Sequence, residues 1–134
     1  MAQILIIDDS TIQANIMSFM LSKHGHEVMV VSDGEKGLNR ANLLKPDLIL
    51  MDIVMPGLNG FKATRQLAKT AATQHIPVLV ISGKAQESDR QWALRQGACD
   101  YLVKPIQETS LLEKVNALLA TESPSSADGS ASNA

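Results

Sequence analysis

A single cysteine, Cys99, in 134 residues excludes an internal disulfide and fits a reducing compartment, so a cytoplasmic location is expected. No His or basic residue adjoins Cys99 in sequence, and it reads as a small residue near the start of a strand rather than a reactive thiol. No apolar run approaches the ~20 residues that span a bilayer. The chain also enters its first strand without a signal-peptide pattern. No Cys/His cluster points to zinc: His24 and His26 lack further ligands nearby, and read as a helix C-terminal residue and a strand start. Charge of one sign is missing too. Glu122 and Asp128 lie in the final segment, and the remainder carries 12 Lys/Arg against 12 Asp/Glu. Such a balance gives no support for a nucleic-acid partner. Lys62, Arg65 and Lys69 share one stripe, which reads as a solvated helix face. No internal repeat is present.

What is there suits one compact domain over residues 1–120, at 45% hydrophobic and 19% charged residues. The tail 121–134, TESPSSADGSASNA, has only alanines as apolar residues and is expected to be disordered. Within the domain, Ile4-Leu5-Ile6-Ile7 ends in Asp8-Asp9, and Leu48-Ile49-Leu50-Met51 ends in Asp52. Val78-Leu79-Val80-Ile81 ends in Ser82, and Tyr101-Leu102-Val103 ends in Lys104-Pro105. Short β-branched runs separated by amphipathic, helix-length stretches predict buried parallel strands with right-handed helical crossovers, an α/β doubly wound sheet. Parallel strands bring all their C-terminal ends to one edge. Three carboxylates, a hydroxyl and an ammonium then converge there, where ligands of such sheets bind.

Five strand–helix units are expected. Ser10-x-x-Gln13 caps the first helix, with Ile12, Ile16, Phe19 and Met20 as its buried stripe and Gly25 as its stop. The second strand spans Glu27 to Val31, and Ser32-x-x-Glu35 caps the second helix, which ends before Pro46. The third strand is Leu48 to Met51 and the third helix Gly60 to Lys69. Ile76 to Ile81 forms the fourth strand, Ser88-x-x-Gln91 caps the fourth helix, and Gly97 ends it. The fifth helix covers Glu108 to Ala120, with Leu111, Leu112, Val115, Leu118 and Leu119 at helical spacing. In the fourth helix, Ala93 and Gly97 are small enough to approach the sheet. That leaves Trp92 on the flank, partly exposed on a partner-facing surface.

Each site residue alone has an ordinary reading: Asp8 or Asp52 as a helix cap, Ser82 as a turn residue, Lys104 as a solvated charge, Tyr101 as sheet packing. Together they are chemically demanding. Two carboxylates about 4 Å apart repel by ~4 kcal/mol at an effective dielectric of ~20. Three cannot all stay ionised without a compensating cation or a large pKa rise; Lys104 supplies one positive charge, and for a further cation an all-oxygen set suits Mg²⁺.

The whole pattern resembles the receiver domain of bacterial response regulators over about residues 1–120. The matching residues are Asp8-Asp9, Asp52 with Met55-Pro56-Gly57, Ser82, Gly97-Ala98, Tyr101 and Lys104-Pro105. KHGHEV, DIVMPGLNGF, RQGA and DYLVKP are most similar to stand-alone chemotaxis and type IV pilus twitching regulators of the PilH sort. The resemblance implies a CheY-like, flavodoxin-like fold with five strands in the order 2-1-3-4-5 and five helices. It implies that Asp52 is the phosphoacceptor for a CheA-like histidine kinase or its phosphotransfer domain. Asp9, Asp52 and the Val54 carbonyl would hold Mg²⁺, with Asp8 acting directly or through a water. Lys104 would pair with Asp52 and then with the phosphoryl group, Ser82 would bond a phosphoryl oxygen, and Lys104-Pro105 would be cis. Tyr101 would pack inward on phosphorylation, altering the face of the fourth helix, fifth strand and fifth helix, with Trp92 and Tyr101 meeting an unknown downstream protein. Val54 and Lys84 would flank the path of the hydrolytic water. Self-phosphorylation and autodephosphorylation are the only reactions implied, so no enzyme in the ordinary sense. The implied regulator is a monomer with no nucleic-acid partner and no membrane insertion.

Two positions depart from the family pattern: Ser82 stands for the commoner threonine, and Gly83 for alanine. A phosphate sink for a shared kinase is the alternative within the class. A haloacid dehalogenase-like phosphatase would need a second Asp where Val54 stands. A flavodoxin-like cofactor binder would need a phosphate-cradling loop where Asp8-Asp9 stand.

Overall fold

The computed structural model describes residues 2–121; Thr121, expected in the tail, is instead the last residue of the final helix, and the expectation for 122–134 falls outside the described residues. Ten elements alternate: β1 (Gln3–Ile7), α1 (Thr11–Ser22), β2 (Glu27–Val31), α2 (Gly34–Leu44), β3 (Leu48–Asp52), α3 (Gly60–Lys69), β4 (Val78–Ser82), α4 (Glu87–Arg95), β5 (Asp100–Val103) and α5 (Glu108–Thr121). All strand pairs are parallel, in the order β2-β1-β3-β4-β5. The implied topology is the one observed.

Two apolar layers sandwich the sheet. Leu5, Ile7, Ile49, Met51, Val78 and Val80 point to one side, where Ala41 of α2, Ala63 and Leu67 of α3 and Ala93 of α4 cover them. Ile4, Ile6, Leu48, Leu50, Leu79 and Ile81 point to the other, under Ala14, Met17 and Leu21 of α1 and Leu111, Val115 and Leu118 of α5. Alternation along each strand delivers successive side chains to opposite layers. This is why β3 and β4, buried on both faces, read as unbroken apolar runs. β2 is an edge strand and stays half exposed.

Three local expectations require correction. The buried stripe of α1 is Ala14, Met17 and Leu21, whereas Ile12 is 75%, Ile16 50% and Phe19 66% exposed. The helix carries no charged residue, so its periodicity offers two apolar stripes. The sheet takes the one whose Ala14 allows close approach. Second, α2 is capped by Asp33 rather than Ser32, its carboxylate accepting the Lys36 N–H at 2.8 Å. Third, α4 begins at Glu87 with no side-chain cap, so Ser88 lies inside the helix. Glu87 and Asp89 in its first turn oppose the positive end of the helix dipole instead. The Ser10 cap holds, its hydroxyl accepting the Gln13 N–H at 3.3 Å.

Register aligns the functional edge. Ile7 pairs with Met51, Asp52 with Ile81 and Ser82 with Val103, so the residues that end β1, β3, β4 and β5 share one rim. β1 and β3 are neighbours from which the strand order departs in opposite directions, leaving a crevice at their C-terminal ends. Gly60 closes the floor behind β3. Its N–H donates to the Ile53 carbonyl at 3.0 Å, and a Cβ there would collide with the Asp52 carbonyl oxygen.

Candidate functional site: an acidic rim with one lysine

Asp8 follows β1 directly and is buried, while Asp9 beside it is exposed. Asp8 Oδ1 accepts the Ser10 N–H at 2.9 Å, which aims the carboxylate across the rim and prepares the α1 cap next door. Its Oδ2 is buried with no hydrogen-bond donor. Asp52, the last residue of β3, is buried as well. One carboxylate oxygen from each of Asp8, Asp9 and Asp52 lies within 4.8 Å of the others.

Lys104 supplies the opposing charge. Its Nζ donates to Asp52 Oδ1 at 3.0 Å and stands 3.6 Å from Asp8 Oδ2. The Lys104-Pro105 bond is cis. Burial pushes the Asp52 carboxyl above the ordinary range. The Lys104 hydrogen bond and charge oppose that shift, and the negative charges of Asp8 and Asp9 reinforce it. One lysine therefore leaves the cluster short of positive charge. Three hard oxygen donors, one of them a buried oxygen without a hydrogen donor, match the ligand set of a divalent cation such as Mg²⁺.

Ser82 ends β4 and is buried, and its Oγ accepts the Lys84 N–H at 3.1 Å. A hydroxyl that accepts this bond keeps its own proton free to donate. Tyr101, in β5, donates its hydroxyl to the Lys84 carbonyl at 2.8 Å. The β4–α4 loop is thus held at one residue from two sides.

Tyr101 is only 5% exposed. In this conformation it belongs to the core, not to the exposed partner face, because Lys84 satisfies its hydroxyl inside. Trp92 is 48% exposed, as its flank position predicts. It packs edge-on against Phe61 of α3, with centroids 6.5 Å apart. It therefore borders the α3–α4 seam. Val54 is 66% exposed in the loop before α3, and Lys84 is exposed on the β4–α4 loop. His24 bonds Glu108 at 3.3 Å, and His26 Nδ1 accepts the Ala2 N–H at 3.2 Å, in keeping with structural roles. Cys99 is free and exposed, just before β5.

Sequence reasoning missed the solvent-facing apolar stripe of α1, which borders the site. A groove of about 210 Å³ runs between Ile16 of α1 and the Lys104-Pro105-Ile106 loop. The absence of any charge on α1 was the available signal. Among the described residues no helix is long and apolar enough to cross a membrane.

A family model described as the response regulator receiver domain matches residues 4–116. The chain is 54% identical over 120 residues to Protein PilH of Pseudomonas aeruginosa, covering 90% of this chain and 99% of that one. Among solved structures it is similar to the chemotaxis protein CheY4 of Vibrio cholerae, with TM-score 0.83 and 28% identity over 88% of this chain and 98% of that one. It is equally similar to the receiver domain of a sensor histidine kinase from Pseudomonas aeruginosa, solved with a magnesium ion coordinated in the active-site cleft. There the TM-score is 0.83 at 28% identity, over 89% of this chain and 98% of that one. With strand order, acidic rim and family match in agreement, the chain belongs to the response regulator receiver domain family.

Proposed function

We propose that the chain is a CheY-like response regulator that takes a phosphoryl group onto Asp52 from a CheA-like histidine kinase or its phosphotransfer domain, in chemotaxis-type signalling that controls type IV pilus twitching. The observation that carries this reading is the Asp52–Lys104 contact at 3.0 Å, on a rim shared with Asp8, Asp9 and Ser82. The likeness to Protein PilH supports the pathway.

An Asp52 oxygen attacks phosphorus as the P–N bond to the donor histidine breaks, and the imidazole leaves with the bonding pair. Lys104 stabilises the Asp52 carboxylate before transfer and a phosphoryl oxygen after it. Ser82 donates its free proton to a second phosphoryl oxygen. Asp9, Asp52 and the Val54 backbone carbonyl are the residues to hold Mg²⁺, with Asp8 beside them. Bound there, the ion offsets negative charge on the transferring oxygens. In the return reaction water attacks phosphorus, the P–O bond to Asp52 breaks, and phosphate leaves. Both reactions act on the chain's own side chain, so it is a switch and not an enzyme with a separate substrate. The uncharged α1 face beside Lys104 suits an apolar helix of the donor.

Acetyl phosphate labelling of wild type and Asp52→Asn, with Mg²⁺ and with excess EDTA, tests this. Labelling is expected in wild type with Mg²⁺ alone. Persistent stable labelling of Asp52→Asn moves the acceptor elsewhere, and undiminished labelling in EDTA removes the metal from the scheme.

A further inference from the structure

Two rungs join α3 to α4. Phe61 meets Trp92 edge-on, with an interplanar angle of 78°. One turn further along both helices, Arg65 Nη1 donates to Gln96 Oε1 at 3.5 Å. The tryptophan stays 48% exposed, and the guanidinium spends one of its five donors on a neutral amide. Lys62 and Lys69, three residues before and four after Arg65, share its exposed side.

The charge pattern of this surface is unlike the rest of the domain. α3 carries three cations and no carboxylate, whereas α2, α4 and α5 mix both signs and α1 has no charge. Among the described residues Lys23, Arg90, Lys104 and Lys114 pair with carboxylates, but none of Lys62, Arg65 and Lys69 does. The carboxylates Glu87 and Asp89 of α4 stand in its first turn, and Glu87 is taken by Arg90 and Gln91. A half-exposed tryptophan resting on a partly buried phenylalanine, bordered by cations that no carboxylate pairs among the described residues, is complementary to carboxylates flanking an apolar anchor. Trp and Arg are also the residues that concentrate binding energy at protein interfaces.

We propose that the α3–α4 seam is a docking surface for an acidic amphipathic protein segment. An apolar side chain of that segment meets Trp92 and Phe61, and its carboxylates meet Lys62, Arg65 and Lys69. This surface is set by side chains of α3 and α4 and uses none of Asp8, Asp9, Asp52, Ser82 and Lys104. Nucleic acid is the poorer fit, because three cations on a chain of net charge −2 neutralise few phosphates.

Trp92, the only tryptophan, reports on its own site. The probe is a synthetic helical peptide with Leu at every third or fourth position and Glu between. A Lys-for-Glu version, poly-L-glutamate and a short DNA duplex serve as comparators. Titration of the acidic peptide is expected to give a saturable change in Trp92 emission that weakens with added salt. Arg65→Glu with Lys69→Glu, its circular dichroism unchanged, is expected to weaken binding about tenfold. Lys62→Gln with Lys69→Gln, which reverses no charge, is expected to show a smaller loss in the same direction. The proposal is overturned if emission shows no saturable change, or if both variants bind as wild type does. Equal binding of the Lys peptide or of poly-L-glutamate, or tighter binding of the duplex, overturns it as well.

Discussion

The Tyr101 hydroxyl donates to the Lys84 carbonyl at 2.8 Å, while Ser82 accepts the N–H of the same residue at 3.1 Å. One residue on the β4–α4 loop, through the two peptide groups that flank it, therefore ties the site hydroxyl to the aromatic ring of β5. Tyr101→Phe keeps the packed ring and removes the donor. The expected cost is about 1 kcal/mol in urea denaturation, with faster amide exchange in the segment 83–87 and unchanged exchange in β1 and β3. Unchanged exchange in that segment would show that the loop is held by something else.

Asp52 titrates above the ordinary carboxylate range, chiefly because it is buried. Its folded state thus binds a proton more readily than its unfolded state, so its contribution to stability falls as pH rises through the folded pKa. In metal-free buffer the thermal midpoint of wild type is expected to climb as pH is lowered through that pKa toward the ordinary carboxylate range. The gain ends where the lowered carboxyls of Glu87 and Glu108 begin to protonate. Asp52→Asn is expected to be more stable than wild type at pH 7 and to lose this slope. Parallel pH profiles for the two proteins would contradict the assignment.

Lys104 faces both Asp52 and Asp8, with all three side chains largely buried. Lys104→Met leaves two buried carboxylates without their cation, a loss on the order of 3 kcal/mol at neutral pH. Asp52→Asn is expected to stabilise the Lys104→Met background more than it stabilises wild type. Denaturant midpoints of the four proteins complete the double-mutant cycle. Additive effects would mean that the 3.0 Å contact carries no coupling.

Strand count and the acidic rim were legible because buried parallel strands must read as apolar runs, and their C-terminal residues must share an edge; the strand order came from the family resemblance and not from the runs themselves. Asp8, Asp9, Asp52, Ser82 and Lys104 fall where that topology puts them. The facing of α1 was not legible. With no charge from Thr11 to Ser22, either apolar stripe could go inward, and only packing against the sheet selects Ala14, Met17 and Leu21. The partner of Trp92 was hidden for a related reason. Periodicity within α4 sets its angle to the sheet, but Phe61 comes from a helix about 30 residues earlier in the chain. The caps Asp33 and Gln86 differ from Ser32 and Ser88 because several adjacent residues were able to cap, and loop length decides among them.

Val54 and Lys84 bracket the rim, two residues past Asp52 and Ser82, and both are exposed. Val54 offers no polar group to orient an attacking water. The Lys84 backbone is fixed through both its N–H and its carbonyl, so its ammonium extends from a stationary point beside the site. A cation there stabilises the phosphorylated ground state, and neither side chain acts as a base at neutral pH. The pair is therefore expected to slow phosphate release. Val54→Asn adds a group that can hold water, and Lys84→Glu replaces the stabilising charge with a repelling one. Both variants are expected to release phosphate faster than wild type in a time course after donor removal, with Mg²⁺ held constant. Release no faster than wild type in either variant would show that these positions do not govern the lifetime of the phosphoryl group.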